Sequence, residues 1–180
     1  RMMMEATEIA RLVAAGELRA EDVLSDHLAR IDATNPGINA IVTLTPELAL
    51  EAARDIDRRV AGGDTVGPLA GVPVGIKDII ETAGIRTTYA SPLFKDNVPD
   101  EDALTVQRIK AADGVIVGKT NTPEFGLLPT TEPELYGATR NPWNPDLGSG
   151  GSSGGACAAV AAGIVPVAHA NDGGGSIRIP

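Results

Sequence analysis

Apolar residues in the first 65 positions recur at helical spacing and predict a mostly helical layer. Gly16 would end the first helix, and the turn sequence NPG would end the second. Thr45 and Pro46 are typical N-cap and N1 residues of a third helix that runs to Gly62. A short β-like run, AIVTL, lies between the second and third helices. The two apolar faces consist of Ile9, Leu12 and Val13 in the first helix, and of Val23, Leu28 and Ile31 in the second.

From Leu69 onward the pattern changes to strands that alternate with helices. GVPVGIKD is a buried-strand candidate, and DEDALTVQRIKAADGVIVGKT predicts a helix, a glycine turn and a strand. The Pro- and Asn-rich segment TNTPEFGLLPTTEPELYGATRNPWNPD predicts a long ordered surface loop. A helix of small residues from about Gly154 to Gly163 precedes a strand from about Val165 to Asn171. This alternation predicts an α/β fold in a single domain.

The last helix and strand bring two serine-bearing, glycine-rich loops to one edge of the predicted sheet. The helix would be roughly 15 Å long. The strand that follows would run back over roughly 20 Å. Ser152 precedes the helix and Ser176 follows the strand, so both lie at the same edge. Lys77 ends its own strand and would reach this edge in a parallel arrangement. Ligands of α/β proteins usually bind there.

A lysine among apolar neighbours has candidate chemistry because burial disfavours its charged form. Its pKa should fall from about 10.4, and a neutral amine can act as a base. A serine hydroxyl attacks an amide only when a base takes its proton. Lys77 is therefore a candidate base for a serine of these loops. The alternative is that Lys77 is an ordinary cation at a strand end.

The sequence DGGGS offers a turn in which consecutive backbone N–H groups point the same way. Such a loop can stabilise the oxyanion of a tetrahedral intermediate. A plain turn and a phosphate cradle are the alternatives, although the Gly-Lys-Ser/Thr of a Walker A loop is missing.

Both histidines and the single cysteine have structural interpretations. His27 lies in an amphipathic helix, which predicts a surface or packing role, and His169 is interpreted as a satisfied core or interface histidine. A Ser-His-Asp triad has little support because no GxSxG elbow surrounds Ser176. Cys157 lies in the small-residue helix, where packing is the expected role.

Composition restricts the classes of partner. A formal net charge of −9 over 180 residues argues against a nucleic-acid or anionic-membrane surface. One cysteine permits no internal disulfide, and no apolar run approaches the roughly 20 residues of a membrane span. The first residues show no signal peptide. These features favour a cytoplasmic protein.

Five motifs between about Leu69 and Pro180 resemble the amidase signature family, in order and at that family's spacing. They are GVPVGIKD, GKTNTPEFG, GATRNPWNP, GGSSGGACAAVAAG and NDGGGSIRIP. The resemblance implies an α/β fold with a mixed β-sheet covered by helices. It also implies that residues 1–180 are the N-terminal part of a single amidase domain, with a helical layer at 1–65 and a catalytic core at 69–180. The sheet would be incomplete, because family domains are more than twice this length.

The resemblance implies a Ser–cis-Ser–Lys triad. By motif, Ser176 is the nucleophile, Ser152 is the bridging serine that follows a cis peptide bond, and Lys77 is the base. The implied oxyanion hole consists of the backbone N–H groups of Gly173, Gly174, Gly175 and Ser176.

Further residues near these motifs are expected to take supporting roles. Ser153 is expected to hydrogen-bond within its loop. Asp172 and Arg178 flank the loop of Ser176 with opposite charges and are interpreted as a structural ion pair rather than as direct catalysts. Phe125 and Gly126 follow the TNTPE segment, where the family lines its acyl pocket. The family often has Thr at the position of Asn171 and DTGG where this chain has DGGG.

The implied activity is hydrolysis of a small-molecule amide, linear or cyclic, through a serine acyl-enzyme, without cofactor or metal. No nucleic-acid or membrane partner is expected, and a homodimer is compatible with the helical N-terminus. One alternative is the amidase subunit of a tRNA-dependent amidotransferase, which usually reads SIRQP where this chain has Ile179. The other alternative is an inactive fragment of an amidase.

Overall fold

The computed structural model describes residues 4–180 of the chain. The helices are α1 (Ala6–Ala14), α2 (Ala20–Ile38), α3 (Pro46–Ala61), α4 (Leu104–Ala111) and α5 (Gly154–Ala161). The strands are β1 (Ile41–Leu44), β2 (Pro73–Lys77), β3 (Val115–Thr120), β4 (Arg140–Asn141), β5 (Asn144–Gly148) and β6 (Val167–His169). Single 3-10 turns span Pro92–Phe94 and Glu124–Gly126.

The main sheet has four strands in the order β1-β3-β2-β6. Strand β2 runs parallel to both β3 and β6, whereas β1 runs antiparallel to β3. The sheet is therefore mixed, as the resemblance implies. Lys77 pairs with Thr120, and Ile76 pairs with His169, so three parallel strands end at one edge.

One hydrophobic core joins the N-terminal helices to the sheet. The predicted helix faces are buried at Ile9, Val13, Val23 and Ile31, and half-buried at Leu12 and Leu28. Residues 41–44 of the expected helical layer form β1, which belongs to the main sheet and ties that layer to the rest of the fold. Within residues 4–180, no helix is both long and apolar enough to cross a membrane.

Helix α2 does not end at the NPG turn as the sequence predicts. It continues through Pro36 to Ile38 and is capped by Asn39, which has a left-handed backbone with φ of 52°. A proline in the last turn removes only one helical hydrogen bond. The side chain of Asn35 holds this end in place, because its Oδ1 accepts from the N–H groups of Ala40 and Ile41 at 2.9 and 2.8 Å.

Helix α3 has the predicted bounds, with Pro46 as its first residue and Gly62 directly after its end. The Thr45 side chain makes no capping bond; its hydroxyl donates to the Ile116 carbonyl at 3.4 Å instead. Strand β6 is shorter than predicted and begins only after Pro166, which lacks an N–H for the ladder. The predicted loop between β3 and α5 contains the small antiparallel sheet of β4 and β5.

Helix α5 packs closely on the chain that leaves β3. A Cβ on Gly155 would lie 2.3 Å from the backbone N of Asn121 and 2.7 Å from the backbone O of Ala40. The Gly155 N–H donates to the Asn121 carbonyl at 3.1 Å. This approach requires glycine, and it fixes the N-terminal end of α5 near the carboxyl edge of the sheet.

We expect Gly155→Ala to destabilise the complete protein by about 1–3 kcal/mol, because backbone atoms must move to admit the methyl group. Gly37→Ala is the matched control. Gly37 lies in α2 with nothing within 4 Å of its Cβ position, so alanine should leave stability unchanged or raise it slightly. Thermal unfolding of both variants tests this, and equal melting temperatures would contradict the close packing of α5.

Candidate active site

The amine of Lys77 lies among four side-chain oxygens from two loops. Its Nζ is 2.7 Å from Ser152 Oγ, 2.9 Å from Ser153 Oγ, 3.1 Å from Ser176 Oγ and 2.7 Å from Asn171 Oδ1. We call Lys77, Ser152, Ser153, Asn171 and Ser176 the lysine–serine cluster. The structure thus brings together the three residues to which the resemblance assigns the triad.

Three elements supply the cluster. Lys77 ends β2, the two neighbouring serines precede α5, and the remaining members follow β6. The peptide bond between Gly151 and Ser152 is cis, as the resemblance implies. The two loops contact each other directly, because the Ser153 N–H donates to the Ser176 carbonyl at 3.3 Å. The edge geometry expected from the last helix and strand is therefore present.

Ser176 lies within hydrogen-bonding distance of both serines of the first loop. Its Oγ is 2.8 Å from Ser152 Oγ and 2.7 Å from Ser153 Oγ. Ser153 is fully buried, and its hydroxyl also donates to the backbone carbonyl of Asn171 at 3.1 Å. Ser153 therefore hydrogen-bonds beyond its own loop, into the centre of the cluster.

Burial changes the acid–base behaviour of Lys77. Its side chain is fully buried, and this desolvation lowers its pKa from 10.5 to about 8. The nearby Cys157 and Asp172 act in the opposite direction but do not restore the ordinary value. About a tenth of the molecules would then carry a neutral Lys77 at pH 7. The amine can accept a proton near neutral pH.

Asp172 organises the loop that carries Ser176. Its carboxylate accepts from the backbone N–H groups of Gly175 and Ile177 at 2.8 and 3.0 Å. The Arg178 guanidinium donates to both carboxylate oxygens, at 2.7 and 3.0 Å. Hydrogen bonding from Arg178 is the main reason that the pKa of Asp172 lies well below its usual range. The two side chains form the ion pair that the sequence analysis expects.

The same loop carries N–H groups that are free to meet a ligand. Within residues 4–180, the N–H groups of Gly173, Gly174 and Ser176 have no hydrogen-bond acceptor. The Gly175 N–H differs from them because it donates to Asp172. The candidate oxyanion hole therefore has three free N–H donors in this structure, whereas the resemblance implies four.

A cavity of about 290 Å³ opens beside Ser176. Its apolar lining comes from Leu127, Leu128, Pro129 and Ile179, and Gly126 completes the wall near Ser152. Phe125 is not part of this lining. Its ring packs against Tyr89 and Phe94, with ring centroids 6.3 and 6.1 Å away.

A second buried lysine, which sequence reasoning missed, lies outside the cluster. Lys119 of β3 is fully buried and donates to the Ile80 carbonyl at 2.5 Å and to the hydroxyls of Thr82 and Thr87 at 2.8 Å. Burial lowers its pKa to about 8 as well. A lysine inside the apolar run VIVGK is the signal that could have revealed it. Its bonds tie β3 to the segment after β2.

The two histidines and Cys157 are not members of the lysine–serine cluster. His27 is buried, and its Nδ1 is 2.7 Å from the Ile164 carbonyl oxygen, so it packs in the core and not at the surface. His169 is not satisfied as expected: within residues 4–180, its buried Nδ1 has no hydrogen-bond partner. Cys157 is half-buried on α5, with its Sγ 3.9 Å from the Ile177 carbonyl oxygen.

Comparisons with known proteins agree with this architecture. The Amidase family model matches residues 22–180. The chain is 47% identical over 177 residues to the A subunit of the glutamyl-tRNA(Gln) amidotransferase of Carboxydothermus hydrogenoformans, covering 98% of this chain and 36% of that protein. It is 44% identical over 177 residues to an acylamidase of Rhodococcus erythropolis, covering 98% and 37%. The solved structure of 6-aminohexanoate cyclic dimer hydrolase superposes with a TM-score of 0.88 at 44% identity, covering 97% and 35%.

The chain therefore belongs to the amidase signature family. Its mixed α/β architecture is the one that its solved relatives share. It spans about a third of the length of the relatives that it matches.

We expect Lys77 to make stability depend on pH between about 8 and 10.5. In this window the unfolded chain keeps the lysine proton that the folded protein has lost, so the free energy of unfolding rises with pH. The wild type should gain on the order of 3 kcal/mol relative to Lys77→Met across the window. Urea unfolding of the complete protein at several pH values measures this difference.

Lys110→Met, on the exposed side of α4, is the control for the loss of one lysine. A wild type and a Lys77→Met variant whose unfolding free energies change in parallel over this range would contradict the lowered pKa.

Proposed function

We propose that the complete protein hydrolyses carboxylic amides through a serine acyl-enzyme. Ser176 is the nucleophile, Ser152 relays its proton and Lys77 is the base. One observation carries the proposal: a buried amine lies 2.7 Å from the Ser152 hydroxyl, which lies 2.8 Å from the Ser176 hydroxyl. An activated nucleophile requires a base within this reach.

In the proposed acylation step, Ser176 Oγ attacks the amide carbon as its proton passes to Ser152. The Ser152 proton passes to the neutral amine of Lys77, which becomes an ammonium. When the tetrahedral intermediate collapses, the C–N bond breaks and Ser152 returns a proton to the leaving nitrogen, while Lys77 resupplies Ser152. Water then attacks the ester at Ser176 by the same relay and releases the acid.

Backbone donors in the loop after β6 would stabilise the oxyanion. Among the described residues, nothing accepts from the N–H groups of Gly173, Gly174 and Ser176, and the bonds from Gly175 and Arg178 to Asp172 fix the turn that presents them. Fixed dipoles of this kind stabilise developing charge without reorganising during the reaction. We therefore assign Gly175 to holding the loop and the other three N–H groups to the hole.

The cavity beside Ser176, with four apolar side chains in its wall, suits an uncharged acyl or amine group of a small amide. We propose that the chain forms part of a single amidase domain, since one core unites its helices and sheet. The cytoplasmic location and the homodimer stay predictions from the sequence.

A fluorophosphonate probe tests the nucleophile without knowledge of the natural amide. Ser176 Oγ would attack phosphorus and expel fluoride, leaving a stable adduct on Ser176 that mass spectrometry locates. The labelling rate of the complete protein should fall below pH about 8, because protonated Lys77 cannot accept the relayed proton. Lys77→Met and Ser152→Ala should each slow labelling by at least about 100-fold.

Ser176→Ala should abolish the adduct, whereas Ser25→Ala, an exposed serine on α2, should leave it unchanged. Labelling that persists in Ser176→Ala, or a wild type that is never labelled, would refute the assignment.

A component of an amidotransferase is the second candidate, favoured by the 47% identity to such a protein. Ile179 weighs against it, because it lines the cavity at the position where that subunit usually has Gln. We expect the complete protein to hydrolyse simple aryl amides without a partner protein. Amide formation on glutamyl-tRNA that requires glutamine and a co-purified partner would instead support the second candidate.

A further inference from the structure

Asn171 belongs to the lysine–serine cluster but has no task in the proposed relay. It follows β6 and supplies two acceptors to the cluster. Its Oδ1 accepts from Lys77 Nζ at 2.7 Å, and its backbone oxygen accepts from the Ser153 hydroxyl at 3.1 Å. Carbonyl oxygens accept hydrogen bonds and never donate them, whereas each serine hydroxyl can do both. The direction of these two bonds is therefore fixed.

The fixed direction determines where the protons of a neutral Lys77 lie. A neutral amine has two N–H groups and one lone pair. Asn171 Oδ1 takes the first N–H. In the arrangement in which the Ser153 hydrogen points to the Asn171 backbone, Ser153 Oγ only accepts, and it takes the second N–H at 2.9 Å. Both N–H groups are then used.

The lone pair is left for Ser152, whose Oγ is closer to the amine than that of Ser176, at 2.7 against 3.1 Å. Ser152 must donate its hydrogen to Lys77, and its oxygen is then free to accept from Ser176 at 2.8 Å. In this arrangement each of the three serine hydroxyl hydrogens and both amine hydrogens has an acceptor, and the Ser176 hydrogen lies within reach of Ser152 and Ser153 alike. Without the Asn171 acceptor, an N–H of Lys77 could turn to Ser152 and reverse the bond.

We infer that Asn171 is a positioning residue that sets the direction of the proton relay, from Ser176 through Ser152 to the lone pair of Lys77. This inference rests on the proposed function. Asn171 also stabilises the ammonium form through a charge-assisted bond, so it helps to set the pH at which Lys77 becomes a base.

Other charged or titratable groups surround Lys77 and are the same residues in every variant of the test. They are Asp78, which follows it in the chain, Lys119 of β3, His169 of β6, Cys157 of α5, and Asp172 with its partner Arg178 in the loop after β6. Differences among variants at position 171 therefore report on that side chain.

The test is the pH dependence of fluorophosphonate labelling at Ser176 in the complete protein. Asn171→Asp keeps the shape but adds a negative charge, so the acid limb should move up by about one pH unit or more. Asn171→Leu removes the acceptor, so the limb should move down by about one unit and the plateau rate should fall at least about 10-fold. Asn144→Asp, the same charge change on exposed β5, is the control.

An acid limb at the wild-type pH in both Asn171→Asp and Asn171→Leu would overturn the inference, and so would a lowered plateau without a shift. If wild-type Ser176 is not labelled, the proposed function fails first. The rise of unfolding free energy above pH about 8 then provides the readout, because Asn171→Asp should begin this rise at higher pH. An unchanged onset would overturn the role of Asn171 independently of catalysis.

Discussion

The removal of one amine from water is the constraint on which the candidate site depends. Lys77 is fully buried at the end of a central strand, and its ammonium form finds only neutral oxygens within hydrogen-bonding distance. Four such oxygens keep the group in place but do not offset the full cost of burying its charge, so the proton is held weakly. A lysine in water would remain protonated and could not serve as a base. Burial at this edge of the sheet thus gives Lys77 the lowered pKa that a base near neutral pH requires.

The same constraint explains why the surrounding chain is built from small, closely packed residues. Two loops must approach one amine from different directions, and bulky side chains would hold them apart. Gly155 lets α5 lie against the backbone at Asn121 and Ala40, which brings Ser152 and Ser153 over the end of β2. In the other loop, the Asp172 carboxylate accepts hydrogen bonds from backbone N–H groups and so holds a tight turn. The position of the hydroxyl groups matters because a misplacement of about 1 Å can cost about 100-fold in rate.

Much of this arrangement could be predicted from the sequence, because it follows from the directions and lengths of the last helix and the last strand. A helix that begins after Ser152 and a strand that ends before Ser176 must bring both loops to one edge, and a strand-end lysine reaches that edge if the strands are parallel. The boundaries of α3 were equally readable from Pro46 and Gly62. The prediction failed at Pro36, where hydrogen bonds from the Asn35 side chain to the N–H groups of Ala40 and Ile41 hold the helix end beyond the proline.

Other features could not be read from residue types. Adjacent serines look alike in sequence, and only the structure shows that Ser153 bonds to the Asn171 backbone while Ser152 has no such commitment. The contact between Asn171 and Lys77 joins residues 94 positions apart, and no periodicity announces it. The free Nδ1 of His169 among the described residues and the commitment of the Gly175 N–H to Asp172 likewise depend on the exact course of the chain.

Direct titration of the Lys77 amine tests whether burial lowers its pKa enough for it to act as a base near neutral pH. In the complete protein with isotopically labelled lysine, NMR can follow each side-chain amine with pH, and the loss of one signal in Lys77→Met and another in Lys119→Met assigns the two buried lysines. We expect the Lys77 signal to titrate with a midpoint near pH 8. A midpoint at pH 10 or above would show that the buried amine stays protonated at neutral pH and cannot act as the base.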